Sequence, residues 1–230
     1  MSDLIYLANA RLSFPNLVEP QKRVNEQTGE VRLSYNCSLL IAPTDPGYQA
    51  FMKRYAELAA EKWKEHAQTV MNMIHQDRKS RCYAAGEEII NKKTFQPYDG
   101  YAGNVVLNAG SKNPVQAIAV DGKPIDPANT MVYQQTLRKL YAGCRVNAAV
   151  KPWIQENRHG RGIRCDLIAI QFAGDDAPFG AGETDASGLF GNVALPGSQA
   201  APSAPSAPTM PPLSSFGQPE APGLPPFMMN

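Results

Sequence analysis

Cations and aromatic rings that alternation throws onto one side of a strand are the side chains with most to offer chemically. Between Tyr141 and Trp153 the residues alternate: Cys144, Val146, Ala148 and Val150 share one face, and Arg145, Asn147, Lys151 and Trp153 share the other. The same parity turns Arg11, Arg32 and Asn36 away from the interior. Cations suit phosphates, and rings suit unpaired bases, at about 1–3 kcal/mol per stacked base. A second basic cluster, Arg158, His159, Arg161 and Arg164, surrounds Gly160 and Gly162, whose freedom from a side chain would let backbone approach a phosphate. A third group combines Arg78, Lys79, Arg81, Lys92 and Lys93 with Tyr83, Phe95, Tyr98 and Tyr101. A solvated sheet face or a solubilising loop explains any one of these residues as well as binding does. The set together favours binding.

Enzyme signatures are missing from the same inventory. There is no GxxxxGK[ST] phosphate loop and no GxSxG elbow. His66, His75 and His159 show no metal-ligand spacing. Asp99, Asp121, Asp126 and Asp166 could meet around magnesium only by an arrangement that their spacing does not announce. Turn chemistry accounts for Asp121 and Asp126, and a cross-strand ion pair for Asp166. No catalytic residue, metal or cofactor is therefore expected.

Several strands and one helix must position these residues. Residues 4–14 alternate with Leu4, Tyr6, Ala8, Ala10, Leu12 and Phe14 on one side, and Pro15-Asn16 is expected to end the strand. Val31 to Ile41 reads as a second strand, with Val31, Leu33, Tyr35, Cys37, Leu39 and Ile41 inside. Asp45 is a good N-cap and Pro46 fits the first helical position. Apolar residues then recur at helical spacing from Tyr48 to Ile74, so Trp63 and the methionines are expected in the core. Residues 75–99 read as a long irregular connection of the kind that often carries function. Strand-like runs follow at Tyr101–Ala109 and Val115–Val120, with an Asp121-Gly122 turn. Two more strands, Ala142–Trp153 and Ile163–Phe172, flank the basic loop from Gln155 to Gly162.

Composition sets the outer bounds. The 230 residues carry a net charge of +1, too little to attract a polyanion at long range. Residues 179–230 contain three acids, Glu183, Asp185 and Glu220, and no Lys or Arg, so the positive charge sits in the first 178 residues. Residues 179–230 are rich in Gly, Pro, Ala and Ser and are expected to form a disordered tail. Cys37, Cys82, Cys144 and Cys165 form no CxxC pair and read as reduced core thiols. No signal peptide or membrane-length apolar run is seen, so a soluble, cytoplasmic protein is expected.

The order of these stretches resembles a known family. Residues 10–17, from Ala10 to Leu17, are similar to its opening strand, and Tyr35 to Ile41 followed by a helix is similar too. So are Gly100-Tyr101-Ala102-Gly103 leading into Val105–Ala109, and the run Tyr141 to Ala148 with its basic glycine loop. The closing strand Ile163–Phe172 and the stretch from Gly174 to Gly180 complete the match. The family is the single-stranded DNA-binding proteins of phages and prophages, built on an OB-fold. The resemblance covers residues 4 to about 183 and implies sequence-tolerant, cofactor-free binding of single strands in replication, recombination or repair. Many such proteins end in an acidic tip that recruits replication partners. This chain ends Pro225-Pro226-Phe227-Met228-Met229-Asn230 without an acidic run, so the tail reads first as a solubilising spacer, with replication or recombination proteins as its candidate partners.

These readings combine into an all-β to α+β fold: an OB-type five-stranded β-barrel over residues 1–178, with one long helix and a tail from residue 179. The candidate DNA-binding residues are Arg11, Arg32, Lys92, Lys93, Tyr101, Arg145, Lys151, Trp153, Arg158, Arg161 and Arg164. Single-stranded DNA is the expected partner, and a homo-oligomer is left open. The rival readings are a metal-dependent nuclease of phage recombination and a protein-interaction module that binds no nucleic acid.

Overall fold

Alternating apolar residues on five strands close into a barrel in the structure, a computed structural model that describes residues 3–24, 29–157 and 160–180. The strands are β1 (Ile5–Val24), β2 (Val31–Ile41), β4 (Val105–Ser111), β6 (Arg145–Asn157) and β7 (Gly160–Gly174). With two short strands added, β3 (Tyr83–Ala85) and β5 (Gln116–Ile118), the sheet runs β3-β4-β2-β1-β6-β7-β5, and a parallel contact between β4 and β7 at Gly110 and Asp166 closes the ring. Closure removes the free edges that an open sheet would present. The fold is thus the five-stranded OB-type barrel expected from the strand pattern together with the family resemblance.

The helical segment begins where its cap residue predicts. Asp45 Oδ1 accepts hydrogen bonds from the backbone N–H groups of Gly47 and Tyr48, at 2.8 and 3.1 Å. Helix α1 (Pro46–Trp63) buries Phe51, Tyr55, Ala59 and Trp63 at the 3.6-residue period and packs on β1 and β6. A single 3₁₀ turn with Lys64 at φ +47° separates it from α2 (Ala67–Gln76). Trp63 is core, as its spacing implied, but Met73 faces solvent. Helix α3 (Thr130–Arg138) was not legible, because only Tyr133 and Leu137 face inward from it. All four cysteines are buried and free. No helix among the described residues is long and apolar enough to cross a membrane.

Two departures from simple alternation decide which side chains reach the surface. Pro15 does not end β1: the strand runs on to Val24 through register shifts between Ser13 and Asn16 and between Asn16 and Gln21. A further bulge lies between Leu7 and Ala10, where Asn9 takes a left-handed backbone at φ +54°. Before it Ile5 and Leu7 point inward, and after it Ala10 and Leu12 do. Tyr6, which strict alternation assigns to the inner set, is therefore exposed, whereas Phe14, of the same parity as Ala10 and Leu12, is exposed by its own left-handed backbone at φ +46° beside the register shift after Ser13. Val31 and Leu33 are also exposed, because the outer end of the β1–β2 ribbon runs past the β4 pairing, which spans only Tyr35–Ile41.

Most of the expected basic glycine loop is paired strand instead. Strands β6 and β7 stay paired out to Asn157 and Gly160, so Arg161 and Arg164 lie on a strand. Arg158 and His159 fall outside the described residues, as does the tail from 181. Packed structure reaches past the boundary read at 178, since Phe179 lies against the barrel.

Candidate nucleic-acid interface

Four rings in a row form one wall of a groove on the barrel surface. Phe14 meets Tyr98 edge-on at 5.3 Å, Tyr98 meets Tyr101 at 5.5 Å, and Tyr101 meets Phe179 at 6.3 Å. The Arg11 guanidinium then lies 4.1 Å over the Phe179 ring. Phe14 (51% exposed) opens onto a cavity of about 470 Å³ whose other walls include Asn91, Thr94, Gln96 and Tyr98. Next to it lies a more polar hollow of about 410 Å³ bordered by Asn9, Arg11, Gly100, Asn104 and Arg145. One half of the groove therefore offers ring faces and the other half offers cations.

The backbone is held in costly conformations along this groove. Asn9, Phe14 and Phe95 have φ of +54°, +46° and +55°, and only Lys64 shares that region among the other described non-glycine residues. Each such residue costs on the order of 1–3 kcal/mol, and such residues cluster at functional sites. At Phe14 the strain turns the ring outward. Phe95, on the same loop as Lys92 and Lys93, is 79% exposed. Both lysines are exposed, and neither makes an ion pair among the described residues.

The segment after β7 straps across the cationic half. Asp176 accepts from Arg145 Nε at 2.7 Å and lies 3.4 Å from Arg11 Nε. Arg11 also donates to the Ala177 carbonyl, and the Phe179 N–H donates to the Ala142 carbonyl at 2.9 Å. Two glycines make room for the strap. A Cβ on Gly143, at φ +110°, would lie 2.4 Å from the Ala177 oxygen, and one on Gly100, at φ +73°, would lie 2.5 Å from the Phe179 ring. The Ala177 N–H and then Arg145 hold the Asp176 carboxyl below its ordinary pKa. The two guanidiniums and this carboxylate together carry one net positive charge.

The sequence-predicted residues separate into groups. Arg11 and Arg145 are register partners on β1 and β6 and border the polar hollow, whereas Lys92 and Lys93 lie on the loop that gives Asn91 and Thr94 to the aromatic cavity without lining it themselves. Lys151, Trp153 and Arg164 lie on the same outward face, farther along β6 and β7. From Arg145 to Trp153 is about 26 Å at roughly 3.3 Å per residue. There Trp153 Nε1 donates to Asp166 at 2.7 Å, Lys151 pairs with Asp3 at 3.5 Å, and Arg164 donates to Gln155 and to the Lys79 carbonyl. Asp166 is thus the partner of Trp153.

Other candidates are placed differently. Arg161 pairs with Glu156 at 2.9 Å on the hairpin, and Arg32 pairs with Glu30 at 3.0 Å on the β1–β2 ribbon, so neither borders the groove. Tyr101 cannot offer a ring face. It is 1% exposed, its hydroxyl donates to Ser13 at 2.9 Å, and it supports Tyr98 and Phe179 from beneath. Of the rings that do line the groove, Tyr98 belonged to the third basic–aromatic group but not to the candidate list, and Phe14 and Phe179 were in neither. The available signal for Phe14 was the Pro15-Asn16 pair beside it, where the strand register shifts. Nothing local could link Phe179 to Arg11.

Known proteins share this architecture. A family model described as the single-stranded DNA-binding protein of Enterobacter phage Enc34 matches residues 4–198. Protein p50 of Acyrthosiphon pisum secondary endosymbiont phage 1 is 28% identical over 180 residues, covering 77% of this chain and 87% of that protein. The structure of the bacteriophage Enc34 single-stranded DNA-binding protein in complex with single-stranded DNA superposes with a TM-score of 0.57 at 21% identity, over 78% of this chain and 90% of that one. Its counterpart without DNA gives 0.56 at 22% identity, over 82% and 90%. At that identity the superpositions speak for the fold, and the family model speaks for kinship. The chain belongs to the family of the single-stranded DNA-binding protein of Enterobacter phage Enc34.

Proposed function

We propose that this protein binds single-stranded DNA in the groove between Phe14, Tyr98 and the Arg11–Arg145 pair, without reading base sequence and without catalysis. The observation that carries this reading is the row of rings from Phe14 to Phe179 running directly into the stacked Arg11. Every base has a π-face, so rings accept any base, but only an unpaired strand can present those faces. Arg11, Arg145, Lys92 and Lys93 supply the phosphate contacts. Lys151, Trp153 and Arg164 extend the same face. The Enc34 relative solved with single-stranded DNA supports the assignment. Replication, recombination or repair of phage DNA is the setting in which such strands are exposed. Replication or recombination proteins are the proposed partners of the tail.

Fluorescence anisotropy with labelled oligo-dT and a duplex of equal length, at two salt concentrations, tests the reading. Single strands should bind more tightly, and log affinity should fall with log salt by roughly 0.7 per phosphate neutralised. Equal affinity for the duplex, or no salt dependence, contradicts it.

The strap supplies a further expected result. Asp176 places a carboxylate between two arginines, where a phosphate would otherwise sit. Asp176→Asn should tighten oligo-dT binding at low salt and steepen the salt slope by up to about 0.7. Weaker binding would mean that the carboxylate serves only to aim the arginines. Because its pKa is depressed, the contribution of Asp176 to folding is complete above the ordinary carboxylate pKa and is lost as pH falls through the lowered one. The strap should therefore hold at neutral and mildly acidic pH.

A further inference from the structure

On the outer face of β1, β6 and β7, midway between the arginine pair and Trp153, one row of side chains is unlike its neighbours. Tyr6 stands in register with Ala149 on β6, and Ala149 in register with Ala169 on β7. The ring is 61% exposed, while the two residues beside it end at a methyl group. The result is a shallow slot of about 110 Å³, with Tyr6 at one end, Ile118 at the other, Ala149 and Ala169 between them, and the amides of Asn147 and Gln171 along one side. The bulge between Leu7 and Ala10 creates it, because without that shift Tyr6 would point into the barrel.

The surroundings favour one occupant. The amides are fixed: Asn147 donates to Gln171 at 2.9 Å, Gln171 donates to the Ala119 carbonyl at 2.7 Å, and Asn147 accepts from the Asn9 N–H at 3.0 Å. They form a rigid side wall and leave the Tyr6 face as the surface on offer. Along β6 the slot lies four residues from Arg145 on one side and four from Trp153 on the other, about 13 Å each way. A strand leaving the groove at Arg145 and following the outer face crosses the Tyr6 row before it reaches Lys151 and Trp153. Flat, apolar and solvent-facing, the slot suits a nucleobase.

We infer that Tyr6 is a stacking platform for a base of the same single strand, forming a second binding segment beyond the arginine pair. This rests on the proposed single-strand binding and adds a length requirement. Oligonucleotides that fill only the groove do not reach Tyr6, and longer ones do.

The full-length protein offers a direct readout. The chain has two tryptophans, of which Trp63 is buried and Trp153 is 38% exposed, so quenching of intrinsic fluorescence reports on the far end of this track. Wild type, Tyr6→Ala and Tyr6→Phe are titrated with oligo-dT of about 4 and about 16 nucleotides, the limits of the usual site size for this fold. Tyr6→Ala should lose between about fivefold and a hundredfold in affinity for the longer oligonucleotide, the loss of one stacked base. It should bind the shorter one as wild type does, and Tyr6→Phe should match wild type with both. In wild type, only the longer oligonucleotide should quench Trp153.

Equal affinity of Tyr6→Ala and wild type for the longer oligonucleotide overturns the inference while leaving single-strand binding intact. Equal losses with both lengths overturn it too, by making Tyr6 part of the fold or of the first segment. So does a change in sedimentation coefficient with unchanged DNA affinity, which would make the slot a contact between copies of the chain. A wild-type protein that binds neither oligonucleotide overturns the proposed function itself, and this inference with it.

Discussion

Replacing Phe14 and Tyr98 together by alanine should nearly abolish single-strand binding while the barrel stays folded. If each ring stacks one base, the loss is about 2–6 kcal/mol, or roughly 30-fold to 10⁴-fold in Kd. The fold should tolerate the change because Phe14 is exposed and Tyr98 only partly buried. Their mutual edge-to-face contact at 5.3 Å contributes only about 0.5–1.5 kcal/mol beyond area burial. Anisotropy with oligo-dT measures the first effect, and thermal unfolding measures the second. A double variant within threefold of wild-type affinity would show that the aromatic half of the groove is not where bases sit. Each single variant should show part of the loss, and Phe14 is the more informative, because its ring is turned outward by a strained backbone at φ +46°.

Tyr101 should behave in the opposite way. Tyr101→Ala removes a fully buried ring that supports both Tyr98 and Phe179 and satisfies the buried Ser13 hydroxyl. Losses for a large buried ring run about 3–5 kcal/mol. For a domain of this size that is a fall in Tm of about 6–20 °C. Single-strand affinity should fall as well, because the rings above lose their floor. Tyr101→Phe separates the two roles. It keeps the ring and orphans Ser13, costing about 1–3 kcal/mol of stability, and oligo-dT affinity should stay at the wild-type level. If Tyr101→Phe instead weakened binding without lowering Tm, Tyr101 would be a ligand contact and the buried assignment would be wrong.

The contrast between these residues shows which features of the site were legible in the sequence. Strand β6 alternates without interruption from Val146 to Val150, so parity alone placed Arg145, Asn147, Lys151 and Trp153 on the outer face. The helix start followed from Asp45 and Pro46, whose capping chemistry is local. Alternation failed twice on β1: a bulge at Asn9 exchanges the two faces and exposes Tyr6, and a second irregularity at Phe14, with φ +46° before the shift to Asn16, exposes Phe14. Tyr101 sits between Gly100 and Gly103 in a stretch that looks like a surface motif. The direction of its ring, however, is set by Ser13, 88 residues away in the chain. The strap was invisible for the same reason: Arg11 meets Ala177 across 166 residues. Arg161 was read as a loop cation because glycines flank it, and Arg164 was grouped with it although it falls within the closing strand. The ladder between β6 and β7 nonetheless continues to Gly160 and brings each arginine to a local acceptor.

Electrostatics also differ from a simple tally of cations. Most arginines on the described surface already face an acceptor: Arg145 has Asp176, Arg32 has Glu30, Arg161 has Glu156 and Arg81 has Glu88. Solvent-facing pairs contribute little to stability, and these pairs hold local charge near neutral. Lys92 and Lys93 stand apart on the loop beside the aromatic cavity. Affinity therefore depends on rings and a few cations gathered at one place, consistent with a net charge of only +1.

Photo-cross-linking of a single-stranded oligonucleotide carrying 5-iodouracil, mapped by peptide mass spectrometry, tests the location of the site most directly. Cross-links should fall on Phe14, Phe95, Tyr98 or Phe179, with longer oligonucleotides adding Tyr6 and Trp153. Cross-links confined to the β1–β2 ribbon around Arg32, or to the face of α1, would contradict the account.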